Sequence, residues 1–134
     1  MSGEVNIKII QGVYEAFARG DVAAVLDAVA DDVDWAAEAA GSGAPWYGAW
    51  HGKGEVVKFF EAYGTAMEVD EWTPLAYAAS DVDVHTVVRL RARSRATGKH
   101  VAMNLHHFFT FRDGKVAYFR GTEDTAQTEA ALRA

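Results

Sequence analysis

The sequence predicts an α+β protein whose helices come early and whose strands come late. Three segments of the first half carry apolar residues at helical spacing, whereas the second half alternates apolar and polar residues in long runs separated by short turns. Such segregation favours an antiparallel sheet that wraps the helices over alternating β-α-β units. We therefore expect a half-open cone, with a curved, mainly antiparallel sheet around three N-terminal helices, as a single domain over residues 1–134.

The first part of the chain predicts two helices and a strand. Apolar residues recur at helical spacing in Glu4–Arg19, and Gly20 is suited to end that helix. Asp21 can cap a second helix. The apolar side of the second helix is formed by Val22, Val25, Leu26 and Val29. The acidic pair at positions 31 and 32 is expected to end this helix and to lead into a short strand, Val33–Ala37.

The middle of the chain predicts a loop followed by a third helix. Residues 39–54 are rich in glycine and small residues but also contain Trp46, Tyr47 and Trp50, which indicates a loop that holds aromatic side chains. Helical spacing returns in Glu55–Ala66.

The remainder predicts strands with breaks at Ser80–Asp83, Thr97–Lys99 and Arg112–Lys115. The last two breaks are typical of hairpin turns between strands. In the second of these two, Asp113-Gly114 readily supplies the positive φ angles of a tight turn. A helical tail, Thr125–Leu132, is expected at the end.

Composition excludes several classes of protein. A net charge of −6 argues against non-specific binding to nucleic acid, and the absence of cysteine excludes thiolate chemistry and disulfides. No stretch approaches the roughly 20 apolar residues of a membrane helix. We therefore expect a soluble, cytoplasmic protein that binds neither nucleic acid nor membrane. No histidine spacing predicts a metal site, so we expect no metal and no cofactor.

One strand carries arginine at every second position. Since strand side chains alternate, these arginines share a face that lies opposite an apolar face. The residues concerned are Arg89, Arg91, Arg93 and Arg95. We interpret them as a solvated or interface-facing sheet surface that is balanced by acidic residues.

The candidate reactive group lies in the apolar strand Val101–Phe111. Alternation places His107 on the apolar face of this strand, whereas His106 points the other way. The companions of His107 on that face are Val101, Met103, Leu105, Phe109 and Phe111. An imidazole in such a stripe is either a hydrogen-bonded core residue or the reactive group of an apolar pocket.

Several short motifs together resemble a known family. The sequence resembles the SnoaL-like branch of the nuclear transport factor 2-like superfamily in Tyr14–Asp21, Ala30–Trp35, Pro45–Gly52 and Phe109–Val116, which occur in the family's order. The resemblance implies a cone-shaped half-barrel of the nuclear transport factor 2-like or cystatin-like type, with a deep apolar cavity. It also implies a homodimer formed through the outer face of the sheet. The fold hosts isomerases, cyclases, hydrolases, dehydratases and non-enzymatic domains, so it determines no reaction by itself.

Comparison with ketosteroid isomerase argues against that enzyme's mechanism. Its carboxylate base would fall on Ala37, and Glu38 next to it is out of phase on the strand. Its donor tyrosine would fall on Val13, with Tyr14 one residue away and still able to reach a cavity. The neutral-acid donor would fall on His107.

The polyketide-cyclase branch gives a better fit. Similar proteins pair a histidine on this strand with an acid near the end of the last strand. His107 fits the first position, and either Glu123 or Asp124 fits the second. Side-chain alternation along the last strand favours Glu123, whereas the family motif favours Asp124. Asp124 could alternatively cap the helical tail. A carboxylate partner would raise the basicity of the imidazole and make it an acid–base catalyst.

We expect a hydrophobic small molecule to contact aromatic and aliphatic side chains around this pair. The candidate contact residues are Tyr14, Trp35, Trp46, Trp50, Phe59, Met103, Phe109 and Phe119. The favoured function is acid–base catalysis, of isomerase, cyclase, hydratase or lyase type, on a polyketide- or terpenoid-like compound. The alternative is a ligand-binding or dimerisation module without catalysis.

Overall fold

The computed structural model describes residues 2–134 of the chain, which form four helices and six strands. The helices are α1 (Gly3–Ala18), α2 (Val22–Asp27), α3 (Gly52–Ala66) and α4 (Thr125–Leu132). The strands are β1 (Val29–Ala37), β2 (Gly48–His51), β3 (Met67–Ala79), β4 (Asp83–Ser94), β5 (His100–Arg112) and β6 (Lys115–Thr122). In these residues no helix is both long enough and apolar enough to span a membrane.

All six strands belong to one sheet, in the order β2-β1-β6-β5-β4-β3. Neighbouring strands run antiparallel except β1 and β6, which run parallel. The register shifts within β1, within β3 and between β5 and β6, and such bulges bend and twist the strands that carry them. The sheet is curved and does not close, while α1 and α3 pack against its inner side. The predicted α+β cone is thus confirmed.

Helix α1 places its inward-facing side chains over the sheet. Ser2 caps its N-terminus by accepting a hydrogen bond from the Val5 amide, and Gly20 ends the turn with a φ of +74°. Residues three and four apart share a helix face. For this reason Ile10, Val13 and Tyr14 are buried together on the side that faces the strands.

Helix α2 is shorter than the sequence indicates. Asp21 caps it as predicted, with Oδ1 accepting a hydrogen bond of 3.0 Å from the Ala24 amide. The helix nevertheless ends at Asp27, and Val29 belongs to β1, where it pairs with Val116 of β6. The prediction that Val29 is helical is wrong, because pairing with a strand distant in sequence outweighs the local apolar periodicity.

The predicted loop over residues 39–54 contains a strand. Residues Gly48–His51 form β2, which pairs antiparallel with the second half of β1, and α3 begins at Gly52 rather than at Glu55. Gly48 and Gly52 bound this strand with φ angles of +103° and +75°. Both glycines supply a backbone conformation that other residues rarely adopt.

The two predicted hairpins are confirmed. Gly98 turns the chain between β4 and β5 with a φ of +73°, and Asp113 and Gly114 turn it between β5 and β6 with φ angles of +52° and +75°. The Asp-Gly turn therefore has the positive φ angles that a two-residue hairpin loop needs.

The arginine row of β4 lies on the outer face of the sheet, as predicted. Alternate residues from Val84 to Ser94 are buried against the helices, and the arginines between them face outward. Arg93 donates to Asp70 at 2.9 Å and to Glu68 at 3.0 Å, both on the neighbouring strand β3. Acidic residues therefore balance at least this part of the row.

Candidate functional site

A cavity of about 100 Å³ lies between the sheet and the helices α1 and α3. Its lining is mainly aromatic and aliphatic, and in the described part of the chain it includes one carboxylate but no lysine or arginine. Eight residues expected at the site line it: Tyr14, Trp35, Trp46, Phe59, His107, Phe109, Phe119 and Glu123.

Three other expected residues do not line the cavity. Met103 shares the inner face with His107, but it is buried in the core nearer the start of β5. Trp50 donates its indole N–H to the Trp46 carbonyl at 3.0 Å and packs against Phe59 from outside. Asp124 is exposed at the start of α4.

His107 is hydrogen-bonded to Tyr14, not to a carboxylate. The Tyr14 hydroxyl lies 2.7 Å from His107 Nδ1 and 2.6 Å from the Thr86 hydroxyl. Tyr14 comes from the inner face of α1, whereas Thr86 and His107 are direct cross-strand neighbours on β4 and β5. The helix layer thus supplies the middle member of a three-residue hydrogen-bonded chain, which we call the Thr86–Tyr14–His107 chain.

Aromatic rings surround this chain. The centroid of the His107 ring lies 5.1 Å from that of Phe119 and 6.0 Å from that of Trp72. Burial, with a smaller contribution from the neighbouring His106, lowers the pKa of His107 to about 3. Burial also raises the pKa of Tyr14 above its ordinary value. Near neutral pH, both His107 and Tyr14 are therefore uncharged.

Glu123 lies in a separate polar cluster on the same cavity. Its Oε1 accepts a hydrogen bond of 2.9 Å from the Trp46 indole N–H, and its Oε2 accepts one from the Thr128 hydroxyl of α4. Burial, with a smaller contribution from the charge of Glu123, raises the pKa of Tyr63 and of Tyr47. The carboxylate is thus anchored between the loop before β2 and the C-terminal helix.

The expected contact between His107 and a carboxylate is not formed. Asp124 instead caps α4, with Oδ1 accepting a hydrogen bond of 3.2 Å from the Gln127 amide, which is the alternative role predicted for it. His107 pairs with Gly121 on β6, and Glu123 follows two residues later and also lines the cavity. Glu123 lies one position beyond the end of β6, and no hydrogen bond joins it to His107. The two groups thus face one space without touching each other.

Gly121 allows the two rings at the cavity wall to approach the backbone. A Cβ atom at this position would lie 2.8 Å from Phe119 Cζ and 3.3 Å from His107 Cδ2. A side chain here would displace the Phe119 ring and press on the His107 ring, so the glycine allows the close packing around His107.

Sequence reasoning missed several polar residues of the site. Thr86 interrupts the apolar inner face of β4, and that interruption of the alternation is a signal that could have identified it. Tyr63 and Thr128, which line the cavity, were missed as well. No sequence signal distinguishes them from core or surface residues. Within residues 2–134, no group of three or more histidine and carboxylate side chains is arranged to hold a metal ion.

Comparison with known proteins agrees with this geometry. The sequence profile of the SnoaL-like domain matches residues 10–119. No curated protein matches the chain. Among solved structures, the chain is similar to a nuclear transport factor 2-like protein of unknown function from Burkholderia pseudomallei, with 27% identity, complete coverage of both chains and a TM-score of 0.90.

Two further solved structures share the fold at lower identity. One is a proposed polyketide cyclase from Xanthomonas campestris pv. campestris, with 19% identity, coverage of 99% of this chain and 100% of that chain, and a TM-score of 0.82. The other is TerC, crystallised with polyporic acid, with 20% identity, coverage of 97% and 99%, and a TM-score of 0.84. Since the profile match spans most of the sequence, the chain belongs to the SnoaL-like domain family and has the nuclear transport factor 2-like fold.

Proposed function

We propose that this protein catalyses proton transfer on a small, uncharged carbonyl compound bound in the apolar cavity, without a cofactor. The observation that carries the proposal is the 2.7 Å hydrogen bond between Tyr14 and His107 in a cavity that also contains Glu123. Two groups that are neutral near pH 7 and one carboxylate then line the same cavity.

The neutral pair and the carboxylate suit the two halves of an enolisation. Glu123 takes the proton from the carbon next to the carbonyl group, and the electron pair of that C–H bond moves to the carbonyl oxygen. The neutral pair Tyr14 and His107 supplies a hydrogen bond to that oxygen as its negative charge develops. A neutral imidazole is suited to this role, because its N–H group can polarise a carbonyl by hydrogen bonding while the ring carries no net charge. Where a C=C bond is conjugated with the enolate, return of the proton to the far carbon of that bond shifts the double bond and completes an isomerisation.

The size and charge of the cavity limit the ligand. A cavity of about 100 Å³ is smaller than the engineered cavity of about 150 Å³ that holds benzene. Without movement of the walls the cavity therefore holds at most one small ring or a short chain. An anion would meet the charge of Glu123 with no lysine or arginine of the described lining to balance it, which favours an uncharged ligand.

The similar structures support a compound of polyketide type. The proposed cyclase and TerC with polyporic acid share this fold, and we propose that a polyketide- or terpenoid-like compound places one carbonyl-bearing ring in the cavity. The class of reaction that the geometry favours is isomerisation or cyclisation through an enolate.

Exchange of carbon-bound protons tests the proposal without the natural substrate. Cyclohexanone in D₂O is incubated with the protein, and the loss of its α-proton signal is followed by NMR. We expect Glu123→Gln to slow the exchange by about 10²–10⁴-fold, since it removes the base. Asp124→Asn is the matched control, because it changes the adjacent acid and keeps a capping side chain. If the wild-type protein exchanges the protons no faster than Glu123→Gln, the proposal is wrong.

The second candidate function is ligand binding without turnover. Both oxygens of Glu123 already accept hydrogen bonds from Trp46 and Thr128, and this engagement opposes their use as a base. Quenching of tryptophan fluorescence by cyclohexanone, combined with no proton exchange in the wild-type protein, would favour this function.

We also propose that two copies of the chain pack through the outer face of the sheet. Outward-facing rings form a row across β4, β5 and β6, with centroid distances of 4.6 Å between His85 and Phe108 and 6.0 Å between Phe108 and Tyr118. We expect light scattering to give the mass of a dimer for the wild-type protein and of a monomer for Phe108→Glu. Leu75→Glu, at an exposed position on β3, is the control that should stay dimeric.

A further inference from the structure

The Thr86–Tyr14–His107 chain has a preferred direction of hydrogen bonding. Thr86 and Tyr14 each carry one hydroxyl proton, and the neutral imidazole carries one proton on either Nδ1 or Nε2. The Tyr14 oxygen is 2.6 Å from the Thr86 oxygen and 2.7 Å from Nδ1. Which atom donates in each contact therefore depends on where the imidazole proton lies.

In the first arrangement both buried hydroxyl protons have an acceptor, and the remaining donor, Nε2–H, belongs to a side chain that lines the cavity. Thr86 donates to the Tyr14 oxygen, Tyr14 donates to His107 Nδ1, and the imidazole proton lies on Nε2. Thr86 and Tyr14 are only 3% and 5% exposed, so their hydroxyl protons need partners within the protein. This arrangement gives each of them one.

In the reverse arrangement a buried proton is left without a partner. His107 would donate from Nδ1 to Tyr14, and Tyr14 would donate to Thr86. The hydroxyl proton of Thr86 would then point away from Tyr14, which is the one hydrogen-bond partner that the structure records for this hydroxyl in residues 2–134. A hydroxyl proton that is buried without an acceptor is unfavourable, whereas an Nε2–H at the cavity can donate to water or a ligand, so the first arrangement is favoured.

We infer that Tyr14 is a positioning residue that fixes His107 as the Nε2–H tautomer and so presents an N–H donor to the cavity. In residues 2–134 no side chain or carbonyl accepts a hydrogen bond from Nε2, and His107 lines the cavity. The ligand atom at this end of the cavity must therefore be an acceptor, such as the oxygen of an uncharged ketone or enone. A ligand that offers only donor groups there would leave two donors facing each other.

As a statement about catalysis this inference rests on the proposed function, but the tautomer itself is measured in the protein without ligand. Two-dimensional ¹H–¹⁵N spectra of protein labelled at histidine show which ring nitrogen carries the proton. We expect the wild-type protein to have its proton on Nε2 and a hydrogen-bonded, unprotonated Nδ1. A proton on Nδ1 in the wild-type protein would overturn the inference.

Two variants test which hydroxyl fixes the tautomer. Tyr14→Phe removes the donor to Nδ1, so we expect its Nδ1 resonance to shift and the two tautomers to exchange. Thr86→Val removes the other hydroxyl of the chain and serves as the matched control. It should keep the proton on Nε2, because Tyr14 can still donate to Nδ1. A protonated Nδ1 in Thr86→Val, or an unchanged Nδ1 resonance in Tyr14→Phe, contradicts the positioning role.

Addition of cyclohexanone tests the direction of the donor. The expected result is a shift of the Nε2 resonance with Nδ1 unchanged, whereas a shift confined to Nδ1 overturns the inference. If the proton lies on Nε2 but the protein does not exchange the α-protons of cyclohexanone, the proposed function is wrong and the assignment of the tautomer is still correct.

Discussion

Replacement of His107 by glutamine is expected to remove an acid-dependent loss of stability. The folded protein keeps the imidazole neutral down to a pKa of about 3, whereas the unfolded chain protonates it near the ordinary value of 6.5. Between these two pH values the unfolded state binds more protons, so acid shifts the equilibrium toward unfolding. The stabilisation is present above the ordinary pKa and decreases as the pH falls below it.

The size of the effect follows from the two pKa values. Preferential protonation of the unfolded chain lowers the free energy of unfolding by about 0.2 kcal/mol at pH 7 and by about 2 kcal/mol at pH 5. The free energy of unfolding of the wild-type protein should thus fall by about 2 kcal/mol more than that of His107→Gln over this interval. Contributions from the other titrating groups cancel in the difference between the two proteins.

Urea denaturation followed by tryptophan fluorescence at pH 7, 6 and 5 measures this difference. His106→Gln is the control, because it changes the adjacent, outward-facing histidine and leaves His107 in place. It should lose stability with acid as the wild-type protein does. If the free energies of unfolding of wild type and His107→Gln differ by an amount that is constant within about 0.5 kcal/mol across these pH values, folded His107 can be protonated. This result would refute its assignment as a neutral group.

Three further substitutions test the packing at Gly121, the cap of α4 and the turn before β4. Gly121→Ala should slow α-proton exchange by about 10- to 100-fold without loss of the fold by circular dichroism, because the new methyl group displaces Phe119 and His107; an unchanged rate would contradict the close packing. Asp124→Ala should lower the free energy of unfolding by about 1 kcal/mol in urea titrations, since it removes the α4 cap, whereas Asp124→Asn should not. Asn6→Ala should cost about 1–2 kcal/mol in the same assay, because the Asn6 amide donates to the Asp81 carbonyl at 3.0 Å and anchors the turn before β4. Equal stability of wild type and Asn6→Ala would exclude that anchoring role.

The parts of the fold that were predictable depend on local signals. Helical spacing located α1 and most of α3, and turn residues located both hairpins. Strand β2 and the start of β1 were not predictable, because their conformation depends on pairing between segments that are distant in sequence.

The site was predictable only in part, for a similar reason. Alternation along β5 correctly places His107 on the inner face, but it gives no distance to any other side chain. The partner of His107, Tyr14, is 93 residues away in sequence and comes from the helix layer. Met103 shares the inner face with His107 but is buried in the core, although Val101 and Leu105 on either side of it line the cavity, so alternation alone does not identify the lining residues.

The anchoring of Glu123 has a consequence for how such a protein could evolve. The segment that identifies the family ends at residue 119, whereas Glu123 and its partner Thr128 come after it. Substitutions near the C-terminus can therefore replace the carboxylate while the aromatic cavity and the Thr86–Tyr14–His107 chain stay intact. Because Thr128 of the last helix also lines the cavity, such substitutions would change the polar end of the cavity and leave the contacts of His107 with Tyr14 in place.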